Sequence, residues 1–197
     1  FGQGCQVSLV RGWLAARDCS FTYGQNVGLN TGPVGGEAIF VVGNSILDNV
    51  TVNGGYIDLM QNHDQYRYLG NMTITGNIYG PGIRLEGGAN YLIDPSVTLQ
   101  GHKWPINIGV NSAGILPGSR LPTTGNQLNE IPDMDDSAPL DEHVFWADAG
   151  IPYIANTIGG AHGQVTILPG VTVKIPADTT FGFDTDSNGA AMPVFLG

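Results

Sequence analysis

Residues 48–55 read D48-N-V-T-V-N-G-G55. Apolar Val50 and Val52 alternate with polar Asn49, Thr51 and Asn53, and the stretch leaves through Gly54. Successive side chains of a β-strand face opposite ways. The alternation therefore predicts Val50 and Val52 inward and Asn49, Thr51 and Asn53 outward. Asn49-Val-Thr51 also satisfies the acceptor pattern for N-glycosylation, as does Asn71-Met-Thr73.

The same pattern recurs along the chain. Val50-Thr-Val52 is followed 22 residues later by Met72-Thr-Ile74, and 25 residues after that by Val97-Thr-Leu99. Each copy leads through one polar residue into a glycine: Gly54, Gly76, Gly101. Each is then followed by a second short apolar run: Tyr56-Ile-Asp-Leu59, Gly82-Ile-Arg-Leu85 and Ile106-Asn-Ile108. Cys19-Ser-Phe21 leading to Val27-Gly-Leu29 reads as a weaker copy upstream. This period is too long for a hairpin and too short for a propeller blade, but it suits one coil of a parallel β-solenoid. Gly and Asn at the corners permit the left-handed backbone angles of tight bends. A leucine-rich repeat would need a consensus that is absent, and a sandwich would show turns every 8 to 12 residues.

Composition agrees with an all-β chain. Charged residues are only 12% of the 197, and there are 30 glycines and 12 prolines. The net charge is −10 with seven Lys and Arg, which disfavours nucleic acid and anionic membrane surfaces, since both need clustered cations. No apolar run is long enough for a membrane helix, so direct membrane insertion is not expected. The chain opens on Phe1-Gly2-Gln3 and ends inside an apolar pattern, as a segment of a longer protein would. Cys5 and Cys19, fourteen residues apart, fit either a small loop disulfide in an oxidising compartment or two buried free thiols.

After Pro117 the pattern breaks. Leu116 to Asp148 is rich in proline and holds the acidic run Asp133–Glu142. This divides the chain into coils over 1–117, a Pro/Asp-rich loop or connector over 118–149, and further coils over 150–197. In the last part Val165-Thr-Ile167 and Val171-Thr-Val173 flank Leu168-Pro-Gly170, a turn that bends the chain between adjacent faces.

Residues 150–175, "GIPYIANTIGGAHGQVTILPGVTVKI", resemble the secreted bacterial right-handed parallel β-helix proteins of the pectin-lyase-like fold. In their large surface proteins a "PY-hydrophobic" strand precedes a "T-I-x-P-G-V-x-V" coil, and "AAMPVFLG" resembles the strand of a next coil. The resemblance implies an all-β right-handed parallel β-helix and an extracellular or cell-surface location. It implies a structural or adhesive module that contacts polysaccharide or other surface-protein chains. It says little of activity, because this fold also hosts lyases and hydrolases.

Several residues qualify as sites. Asp184, Asp186 and Asn188 before Gly189 place oxygen ligands as a calcium loop does, although Phe195 stands where an EF-hand has its bidentate Glu; an Asx turn explains the same residues. Tyr66, Tyr68, Arg84 and Trp104 offer aromatic and cationic contacts to a glycan, or pack at corners. Arg67, Arg84 and Lys103, with His63-Asp64 and Glu86 nearby, are the residues a polysaccharide lyase or glycoside hydrolase would draw on, but no dense carboxylate cluster accompanies them. No catalytic set is assigned. Thr51, Thr73 and Thr98 form a column of outward hydroxyls. An ice-binding solenoid would present two such ranks, and only Thr73-Ile-Thr75 does so outright.

Overall fold

The computed structural model describes residues 7–22, 37–60, 66–86, 89–109, 113–134, 143–155, 158–159, 164–177, 183–184 and 194–195. Among these no helix occurs, and the sheets are wholly parallel. In chain order the strands are β1 (Val7–Thr22), β2 (Glu37–Asn53), β3 (Tyr56–Met60), β4 (Tyr66–Leu69), β5 (Met72–Thr75), β6 (Pro81–Glu86), β7 (Ala89–Ile93), β8 (Thr98–Gln100) and β9 (Trp104–Gly109). They continue with β10 (Ala113–Ile115), β11 (Ile131–Met134), β12 (His143–Trp146), β13 (Tyr153–Ile154), β14 (Ile158–Gly159), β15 (Gln164–Ile167), β16 (Val173–Lys174), β17 (Phe183–Asp184) and β18 (Val194–Phe195). One sheet runs β16-β13-β11-β9-β6-β3-β2-β5-β8 with β1 beside β2, and a second runs β18-β15-β12-β10-β7-β4. The fold is a β-solenoid of stacked coils.

The first sheet carries two ranks because β2 serves both. Its Ile39–Val42 part pairs with β3, and its Val50–Asn53 part pairs with β5. The registers match the repeat in the sequence. Val50, Met72 and Cys19 share one level, and Val52, Ile74, Leu99 and Phe21 share another. Ile57, Ile83 and Ile106 stack in the other rank, with Leu59, Leu85 and Ile108 beside them. All of these except Cys19 and Phe21 are buried, and those two are half-buried against the same core. The second sheet closes the coil with Ala89, Tyr91, Ile93, Ile115, Val144, Trp146 and Ile167. Burying a side chain of this size stabilises by about 1.5–3 kcal/mol each, which is what holds the coils in register.

Two ladders of unusual backbone make the corners around β5. At the entry corner Asp18, Asn49 and Asn71 adopt φ of 53°, 52° and 52°. Asn and Asp tolerate this left-handed region best among non-glycine residues. Asn49 Nδ2 donates to Asp18 Oδ1 at 2.6 Å, and Asn71 Nδ2 donates to Asp48 Oδ1 at 3.2 Å, so the ladder is tied from coil to coil. At the exit corner Gly54, Gly76, Gly101 and Gly125 stack with φ between 74° and 91°. The Gly54 N–H donates to Thr75 O at 2.7 Å, and the Gly76 N–H to Gln100 O at 3.1 Å. A Cβ on Gly76 would find ordinary contact distances, so the backbone angle rather than space requires glycine.

The exit corner is stapled from within by His102, which is fully buried. Its Nδ1 accepts from the Asn77 N–H at 3.2 Å, and its Nε2 lies 2.8 Å from Ile74 O, so Nε2 carries the proton and the ring is neutral. Burial holds the ring below the ordinary histidine range, opposed by the bond to Ile74.

The segment 118–149 differs from a plain connector. It contributes β11 to the first sheet, paired with β9 and β13, and β12 to the second, paired with β10 and β15. The coil stack therefore passes through it without a break. The apolar-Thr-apolar strand is what ends, after β8. Its place is taken by irregular residues 116–130, where Pro117 and Pro122 cannot donate ladder bonds. Loss of that one strand stretches the period and hides the coil in the sequence. Residues 135–142 of the acidic run, and Val27–Leu29, lie outside the described residues. The turn at Leu168–Gly170 does join the two sheets, carrying β15 to β16.

Candidate functional site

The most regular outward feature is a face built from Cys19–Thr22, Val50–Asn53, β5 and β8. With Val50, Val52, Met72, Ile74 and Leu99 facing the core, the intervening residues face solvent. Ser20, Thr51, Thr73 and Thr98 lie in one register line, and Thr22, Asn53, Thr75 and Gln100 in the next. Ser20, Thr73, Thr98 and Gln100 are exposed, and Thr51, Asn53 and Thr75 are half-exposed. The Thr75 hydroxyl donates to Asn53 Oδ1 at 3.1 Å, which fixes both side chains across the coil step. Parallel strands set the lines about 4.8 Å apart between coils and about 6.6 Å apart along a strand. The face therefore presents hydroxyl and amide groups on a two-dimensional grid. No charged and no aromatic residue occupies any of its eight positions.

The glycan-contact residues do not converge. Tyr66 and Tyr68 lie in β4 of the second sheet, in register with Asn90 and Leu92. Tyr68 is exposed, and its hydroxyl is held above the ordinary tyrosine range first by its bond to Asp94. Asp94 is held below the usual carboxylate range, first by its hydrogen bonds with Ser96. Arg84 lies in β6 and Trp104 at the start of β9, both in the first sheet. The Lys103 ammonium sits 4.2 Å over the Trp104 ring. Arg67 and Arg84 also occupy different sheets, in β4 and β6. Their positions, 67 and 84, are closer than one coil length, so the solenoid turns them apart.

A second outward line holds Asp58, Arg84 and Asn107 in register on β3, β6 and β9. It is enclosed: Asp58 is 2% exposed and Asn107 7%. Arg84 Nη1 lies 3.7 Å from Asp58 Oδ2, and so the guanidinium is committed to a buried carboxylate. Sequence reading singled out Arg84 but missed its neighbours. The signal was there, since each is the central polar residue of the second apolar run.

The disulfide and calcium residues fall largely outside the described residues. Cys5 is outside them, while the Cys19 thiol lies 3.1 Å from Arg17 O. Asp186 and Asn188 are outside, and Asp184 is described only as a backbone position of β17, paired with Gly159 of β14. His63 and Asp64 are outside as well. Among the described residues no group of three or more His, Cys, Asp or Glu is placed to hold a metal ion.

Fold and face together define the class: a parallel β-solenoid with one neutral, hydroxyl-rich flat side. No family model, no curated protein and no solved structure matches the chain.

Proposed function

We propose that the chain is a structural and adhesive module of an extracellular β-solenoid surface protein, and that the Ser/Thr/Asn/Gln face is its contact surface. One observation carries this reading. The face is exposed and register-locked, yet the fold does not need its chemistry, because the core lies wholly on the other side of the same strands. A strand buried on one side asks only for polarity on the other. Eight positions without one charge, in a chain of net charge −10, exceed that demand. Hydroxyl and amide groups with fixed rotamers form directional hydrogen bonds to an uncharged, repeating partner at low entropic cost.

Sedimentation of the purified chain with insoluble, washed surfaces (cellulose, chitin and polycrystalline ice among them) tests the reading. Adsorption to at least one surface is expected, reduced several-fold by Thr73→Tyr and unaffected by Tyr68→Ala on the second sheet. Adsorption indifferent to Thr73→Tyr, or none at all, sinks the assignment of this face.

A further inference from the structure

Resting on that contact face, we infer that its partner is the water lattice of ice rather than a sugar chain. The grid itself gives the first reason. Hydroxyls repeat about 4.8 Å apart across coils and about 6.6 Å apart along strands. Both repeats lie close to oxygen spacings on faces of hexagonal ice. A soluble sugar chain repeats in one direction only, and nothing in its recognition calls for a second, parallel line.

The second reason is what the face lacks. Pyranose rings expose C–H faces that stack on aromatic rings, and no aromatic residue stands on this face. The exposed aromatics Tyr68 and Tyr79 lie elsewhere, in β4 and in the turn after Gly76. Charge is absent too, although Arg17, Asp18 and Asp48 crowd the entry corner next to it. A charge would impose its own hydration shell and break a lattice, whereas threonine offers a methyl group and a hydroxyl at each node.

The third reason is order. The Thr75–Asn53 bond and the parallel ladder hold the nodes before any partner arrives. Structure also extends the sequence pattern. Ser20 joins the first line as a fourth hydroxyl, and Thr22 reaches the second by register. Six of the eight positions are thus Ser or Thr, against the single Thr-x-Thr pair evident at β5.

Slow-freezing partition of the whole chain tests this, with the fraction entering polycrystalline ice measured against serum albumin and paired with an ice-recrystallisation assay. Enrichment in ice above albumin and slowed recrystallisation are expected. Thr73→Tyr and, separately, Thr98→Tyr should cut enrichment at least five-fold while leaving the circular dichroism and melting temperature unchanged, since both side chains are exposed. Exclusion from ice like albumin overturns the inference, as does equal enrichment of two folded variants. Adsorption to cellulose or chitin that is sensitive to Thr73→Tyr, without ice enrichment, overturns the ice assignment and leaves the contact face standing. Absence of both removes the face along with it.

Discussion

Gly114 of β10 is the position where one added methyl group should do the most damage. Asn90 of β7 reaches across it to β12, a strand two coils on. Asn90 Nδ2 donates to His143 O at 3.0 Å, and the Phe145 N–H donates to Asn90 Oδ1 at 2.9 Å. A side-chain amide thus replaces ladder bonds that β10 and β12 do not make, for those strands pair only at Ile115 and Trp146. The bridge exists because Gly114 has no side chain. A Cβ there would collide with Asn90 Oδ1 and would lie 2.7 Å from Phe145 N and 2.8 Å from Phe145 O. Gly114→Ala must displace Asn90, leaving two part-buried backbone groups without their partners at about 1–3 kcal/mol each. Overpacking adds about 1–3 kcal/mol. Since the penalties overlap, the expected loss is about 3–5 kcal/mol, a large share of the roughly 5–15 kcal/mol of a typical domain. Urea unfolding followed by tryptophan fluorescence should show the midpoint falling with an unchanged slope. Asn90→Ala alone should cost about 2–3 kcal/mol, and the double variant at least about 1 kcal/mol less than the sum, because the shortened side chain at position 90 no longer obstructs the new methyl. A loss below about 1 kcal/mol for Gly114→Ala, or strict additivity, would refute the bridging role.

Two further outcomes test the core and the exit corner. Val52 is fully buried, so Val52→Asp, which forfeits the valine's burial and encloses an unpaired carboxylate, should leave the chain unfolded by circular dichroism; a folded variant would mean that Val52 does not face the core. The His102 ring is depressed below its unfolded value of about 6.5, so the unfolded chain binds the proton more readily. Its contribution is complete above about pH 6.5 and declines as pH falls toward the folded value. Urea midpoints should drop from about pH 7.5 to about pH 5.0 more steeply for the native chain than for His102→Gln, and parallel profiles would remove His102 from the pH response.

What could be read from the residues followed from packing. Val50, Val52, Met72, Ile74 and Leu99 announced their inward line because burial demands the same chemistry at the same place in each coil. Thr51, Thr73 and Thr98 stack as their spacing suggested. Sequence failed where geometry is not periodic. Nothing in Asn90 marks a side chain that bridges 53 positions to His143, since the bond depends on an absent side chain at Gly114. β11 and β12 escaped notice because coil length, not strand character, was the guide, and the coil lengthens where its third strand is lost. Arg67 and Arg84 were grouped by rough spacing, and a shortfall of a few residues places them on different sheets. In a solenoid the phase within the coil, more than separation along the chain, decides which side chains meet.

The Asn-x-Thr triplets at 49–51 and 71–73 show how two unrelated demands can produce a motif. Position 49 is a corner with φ of 52°, where Asn is among the few tolerated residues. Two places on, position 51 is the first outward site of a strand, where the face carries a hydroxyl. Corner and strand lie a fixed distance apart, so each coil that uses Asn for one and Thr for the other writes a glycosylation acceptor. The amide of Asn49 is occupied by Asp18 and that of Asn71 by Asp48. A sugar on either nitrogen would compete with the bonds that tie the corner together. It would also stand beside the hydroxyl lines that the corner serves to align.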